Sequence, residues 1–120
     1  MLTVDIENIG DLAVVECTGR IVRSDAAFKL GRAVTSQPNA RIVILDLTEV
    51  QAIQGGGLGM LRFLQRWAQG HNIQLKLCNP TDSVRNGLKH DGSKHQFDIA
   101  TFEEMLALLA QAEYQYGMAA

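Results

Sequence analysis

Two cysteines and two prolines in 120 residues are too few for a disulfide scaffold or a proline-rich linker. Cys17 and Cys78 lie far apart in the chain. Each sits in an apolar run without a second cysteine or a close histidine, so both read as small core residues, and neither a metal nor a cofactor is expected. The longest apolar runs, such as Ile42-Val43-Ile44-Leu45, fall far short of the roughly 20 residues that a membrane helix requires. No basic segment precedes an apolar one at the N-terminus, so no secretory leader and no membrane association are expected, and a cytoplasmic location follows. An excess of positive charge is also missing. Eleven Lys and Arg against thirteen Asp and Glu leave a formal charge of −2, which removes the electrostatic footprint of nucleic-acid binding.

What is present is an ordinary globular composition, 47% hydrophobic and 20% charged, at a length suited to one domain. A single domain over 1–120 is expected, with an ordered core of about 2–113. Apolar bursts at 2–6 and 12–17 flank Asn8, Gly10 and Asp11, which predicts an N-terminal β-hairpin. Ala26, Ala27, Leu30, Ala33 and Val34 recur at helical spacing, with Ser24 as the expected N-cap. The run 41–47 reads as a strand apolar on both faces, the pattern of a sheet interior. A loop is expected over 48–55. Leu58, Leu61, Leu64 and Ala68 then predict a helix over 56–69, and a strand over 73–78 and a short helix over 82–90 follow. A short strand at 97–99 and a capping box from Thr101 to Glu104 introduce the last helix, with the tail from 114 expected to fray. The fold class is therefore α/β, with a mixed five-strand sheet, an N-terminal β-hairpin and helices mainly on one face.

Functional surfaces of such sheets gather where strand ends lead into helix N-termini. Here that segment is Gln54-Gly55-Gly56-Gly57-Leu58-Gly59-Met60, whose glycines allow close backbone approach and whose amides favour an anion or a partner's carboxylate. A nucleotide P-loop is excluded because Met60 and Leu61 follow Gly59 where Lys and Ser or Thr are needed. The dinucleotide pattern fails because Met60 and Arg62 occupy the positions of its last glycine. Elsewhere, His90 and His95 have no third ligand and read as solvated loop residues, and His71 suits a helix C-terminus. Arg62 and Arg66 lie one turn apart beside Gln65 and Gln69 and read as a solvated face. Trp67 is expected to be partly buried against a neighbouring helix. No nucleophile, base and orienting acid converge, so no enzyme is predicted.

Three pieces of the chain resemble the STAS domains, and among them the bacterial anti-sigma factor antagonists. They are Cys17-Thr18-Gly19-Arg20-Ile21, then Val43-Ile44-Leu45-Asp46-Leu47-Thr48-Glu49-Val50 with Gly57-Leu58-Gly59-Met60-Leu61, and Ser83-Val84-Arg85-Asn86-Gly87-Leu88 before Phe97-Asp98-Ile99. The resemblance implies a non-enzymatic protein-interaction module in transcription regulation or stress signalling. Its implied partner is an anti-sigma factor, a GHKL-type kinase, or another STAS-pathway protein. It implies a partner-binding surface formed by Gln54, Gly55, Gly56, Gly57, Leu58, Gly59 and Arg62 together with Val22, Arg23 and Ser24. In the family a Ser or Thr before Gly-Leu-Gly is phosphorylated by the partner, which releases it. That acceptor falls on Gly56, the family's preceding Asp on Gln54, its Ser on Gly55, and a second nearby Asp on Val22. This copy therefore reads as non-phosphorylatable at that position, with Ser24 and Thr48 as the neighbouring hydroxyls. The alternative reading is a small-ligand or anion sensor that uses the glycine loop.

Overall fold

The computed structural model describes residues 1–89 and 97–117. Five strands lie side by side in chain order, β1 (Leu2–Ile9), β2 (Leu12–Ile21), β3 (Ile42–Ile53), β4 (Gln74–Cys78) and β5 (Ile99–Ala100). β1 and β2 form the expected antiparallel hairpin, and β3, β4 and β5 each run parallel to the strand before. The helices are α1 (Ser24–Thr35), α2 (Gly56–Gly70), α3 (Asp82–Lys89) and α4 (Phe102–Ala112).

Strand alternation assigns the two faces of the sheet. Val43, Leu45 and Leu47 of β3 join Val15 and Cys17 of β2 in a core with Leu30 and Val34 of α1, Leu61 and Leu64 of α2, and Val84 and Leu88 of α3. Ile44 points the other way, with Leu12, Cys78 and Ala100, onto Met105 and Ala112 of α4. Three helices thus cover one face and α4 covers part of the other, as the doubly apolar run in β3 predicts. α1 and α2 pack closely because Gly31 leaves room for Met60, whose Sδ would lie 2.8 Å from a Cβ there.

Several boundaries differ from expectation. The supposed loop over 48–55 is mostly strand, since β3 continues to Ile53. The register against β2 slips twice, between Glu16 and Thr18 and between Gly19 and Arg20. Each slip inserts a residue into β3, which breaks the alternation that normally identifies a strand. Ser24 does not cap α1. Arg23 is the N-cap, extended at φ −92° and ψ 162°, without a side-chain cap, and Ser24 is already the first helical residue. β5 begins at Ile99, not at 97. The capping box is present, with Glu104 N–H donating to Thr101 Oγ1 and Thr101 N–H to Glu104 Oε1, both at 3.1 Å. After α4, residues Glu113–Gly117 form a π-helical turn where fraying was expected. His90 and His95 lie outside the described residues.

Candidate functional site

β3 delivers the chain to the rim of the sheet, where Gln54 and three glycines turn it into α2. Gln54 N–H donates to the Ile21 carbonyl at 3.2 Å, which fastens the turn to the end of β2. Gly55 is the N-cap of α2 at φ 52° and ψ −115°, a backbone conformation open to glycine and strained for other residues. Gly57 is buried beneath the turn, and a Cβ there would overlap the Ile21 carbonyl oxygen. The glycine run therefore has two separate causes, a left-handed backbone at Gly55 and direct backbone contact at Gly57.

Gly56 is different. Its φ lies outside the left-handed region, it is exposed, and the nearest atom to a Cβ would be the Val22 carbonyl oxygen at 3.8 Å. A serine would fit at this position without strain, so backbone geometry does not require a glycine here. Gly59 is likewise unconstrained, with nothing within 4 Å of a Cβ.

Val22 thus lies beside Gly55 and Gly56. Arg23 and Ser24 continue the same edge, both exposed. A cavity of about 350 Å³ opens next to them, lined by Met1, Arg20, Val22, Arg23, Asp25 and Ala26. Arg20 and Met1 are additions that sequence reading missed. Their only signal was the hairpin register that sets Leu2 opposite Gly19, a tertiary pairing. Leu58 and Arg62 are half-buried on α2. The first turn of α2 carries no acidic residue and no side-chain cap, so the helix dipole presents positive potential at the turn. Of the amides of Gly55, Gly56 and Gly57, expected to serve an anion, that of Gly57 is already used, since its N–H donates to the Gln54 carbonyl at 2.9 Å.

The two neighbouring hydroxyls differ in availability. Thr48 Oγ1 donates to Asp46 Oδ1 at 2.6 Å and accepts from Asn79 Nδ2 at 3.0 Å, tying β3 to the turn after β4. Ser24 is exposed at the start of α1. Trp67 is half-buried against the core and stacks on His71 with ring centroids 4.5 Å apart. His71 Nδ1 lies 2.8 Å from the Trp67 carbonyl oxygen at the end of α2, the helix-terminal role expected of it.

The cysteines are buried in the two cores. Burial, reinforced by Asp46 and Glu16, pushes the Cys17 thiol up to about 12. Burial and then Asp46 push Cys78 up to about 12 as well. Neither is a thiolate at neutral pH, and at pH 8 neither should react with an aromatic disulfide reagent unless denaturant is added. Because the folded state holds these protons more tightly, their contribution to stability is complete below the ordinary thiol range of about 8.5. It should be lost as pH climbs from there toward about 12. Urea midpoints measured at rising pH check this, and they should decline less steeply when either cysteine is replaced by alanine.

Among the described residues, no group of three His, Cys, Asp or Glu side chains could hold a metal ion. No described helix is long and apolar enough to cross a membrane.

Comparison with known proteins places this geometry. No curated protein matches the chain significantly. The fold is similar to that of an anti-sigma factor antagonist from Mycobacterium paratuberculosis, with a TM-score of 0.75 at 18% identity over 92% of this chain and 95% of that one. A putative anti-sigma factor antagonist from Thermotoga maritima gives a TM-score of 0.75 at 15% identity, over 89% of this chain and 94% of that one. Bacillus SpoIIAA in its phosphorylated form gives 0.66 at 16% identity, over 89% and 99%. The STAS domain family model matches residues 3–106, spanning the hairpin, the glycine turn and the start of α4, and the chain therefore belongs to the STAS domain family.

Proposed function

We propose that the chain is a non-enzymatic partner-binding module of the anti-sigma factor antagonist type, acting in the cytoplasm, whose contact surface is the rim around Gly56. The partner is an anti-sigma factor of the GHKL kinase type or another STAS-pathway protein. The observation that carries this reading is Gly56 itself. The turn keeps the exposed first position of α2 open, with space for a side chain, while the hydroxyl is gone and Gln54 and Val22 stand where the family has acids. Phosphorylation would add a charge of about −1.5 to −2 at such a surface. Without an acceptor the contact is not switched there, and binding is constitutive. The basic rim around Arg20 and Arg23, together with the α2 dipole, favours a partner that offers carboxylates.

The test uses immobilised wild-type protein and its Gly56→Glu variant in extract from the native cell. A GHKL-type ATPase or a STAS protein should be retained by the wild type and lost with the variant. After incubation of the recovered kinase with ATP, intact mass should show no phosphate on the wild-type chain. The triple variant Gln54→Asp, Gly56→Ser and Val22→Asp should gain one. Repeated recovery of no such partner would refute the proposal. A phosphate on wild-type Ser24 would show that the switch has moved, since Thr48 is already held by Asp46 and Asn79.

The anion-sensor reading is weaker, because the Gly57 amide, one of the three it uses, is committed to the turn. Saturable thermal stabilisation by phosphorylated metabolites, abolished by Gly56→Glu, would favour it instead.

A further inference from the structure

The charges of this near-neutral chain are segregated across the slab. β1, β2 and β3 together carry Asp5, Glu7, Glu16, Asp46 and Glu49 against the single cation Arg20. α1 and α2 carry four cations against the single acid Asp25. The acids share one side of the sheet. Leu2 and Val4 of β1 face the core under α1 and α2, which turns Asp5 and Glu7 to the opposite face. Glu16 alternates with Val15 and Cys17, and Asp46 with Leu45 and Leu47, to the same effect. α4 covers that face over Leu12, Ile44, Cys78 and Ala100, with Ile9, Val14 and Ile42 packed against the same cluster.

Register sharpens the arrangement. Asp5 pairs with Glu16, and Glu16 pairs with Asp46, so three carboxylates stand in a row across three adjacent strands. Glu49 is paired with Thr18 further along. Side chains so placed are about 4.5–5.5 Å apart at Cβ, where like charges repel. Among the described residues, none of these five acids forms an ion pair. On the far side of the slab, Lys29 and Arg32 of α1 and Arg66 of α2 are exposed, interleaved with Phe28 at 66% and Phe63 at 47% exposure. Arginine with aromatic residues is the composition enriched at protein interfaces.

We infer that the occupant of the open acidic sheet face is the α1–α2 face of a second copy of this chain. The two surfaces are opposite in sign and lie on opposite sides of the domain, so the contact is head-to-tail and does not close on itself. Cations from the neighbour relieve the repulsion along Asp5, Glu16 and Asp46, and the neighbour's Phe28 and Phe63 are taken out of water. The glycine turn lies at the rim between the two faces and stays accessible, so stacking and partner binding are separable.

Sedimentation of the full chain is the test. In low salt the weight-average mass should at least double as concentration rises from about 5 µM to about 0.5 mM, and about 0.5 M salt should return it to the monomer. Two neutralised variants then define the polarity. Asp5→Asn with Glu16→Gln and Glu49→Gln neutralises three of the five acids of the one face, and Lys29→Gln with Arg32→Gln and Arg66→Gln neutralises three of the four cations of the other. Each alone should stay monomeric, while an equimolar mixture should give a two-chain species and nothing larger, because only one native contact can form. A wild-type monomer at every concentration in low salt overturns the proposal and leaves the acidic face to a cationic partner of another kind. It is also overturned if either variant alone assembles as the wild type does, or if the mixture stays monomeric. None of these readings depends on Gly56 or its partner.

Discussion

Gly57→Ala should destabilise the domain by about 3 kcal/mol, in the upper range for overpacking. The added methyl meets the Ile21 carbonyl oxygen, a backbone atom that cannot swing aside as a side-chain end would. That carbonyl also accepts the Gln54 N–H bond that fastens the turn, so relief of the overlap moves α2 and loosens the rim together. The gain of roughly 1 kcal/mol from replacing glycine by alanine in a helix is too small to offset this. Gly59→Ala, two residues on, separates the two effects. It meets nothing within 4 Å and should raise stability by about 0.5–1 kcal/mol through helix propensity alone. Urea denaturation of both variants checks the pair. Equal effects at the two positions would show that the turn does not approach β2 as closely as described.

Leu45→Ala should cost about 3–4 kcal/mol, in the middle of the range for truncation of a buried leucine. Leu45 is wholly buried in the middle of β3, with β2 and β4 bonded on either side. Its side chain reaches the core beneath the helices of the covered face. Neighbours held in a parallel ladder on both sides cannot close over the void, so both the transfer loss and the cavity remain. The measurement is the urea midpoint, with the slope unchanged if the variant still unfolds in two states.

These two sites also mark how far the sequence can be read. The four branched aliphatics from Ile42 to Leu45 determined a strand buried on both faces, because only a sheet interior accommodates apolar side chains pointing both ways. Helical spacing in α1 and α2, the capping box at Thr101 and Glu104, and the core positions of both cysteines were determined in the same local way. The glycine turn was visible as a cluster, and its resemblance to the family pattern is what the proposal for Gly56 rests on.

Tertiary structure alone decided the rest. Nothing local distinguishes Gly55, Gly56, Gly57 and Gly59, since the left-handed backbone of the first and the blocked Cβ of the third depend on where β2 ends. Val50, Ala52 and Ile53 sat within a segment that reads as loop, although they extend β3, because its two register slips interrupt the period of two on which strand recognition rests. The row of Asp5, Glu16 and Asp46 is the clearest case. These residues are scattered along the sequence and unremarkable in a chain of charge −2. They become neighbours only through an antiparallel and a parallel pairing whose register is set by burial of the alternate residues. Sequence fixes which side chains alternate, while the pairing of strands decides which of them stand side by side.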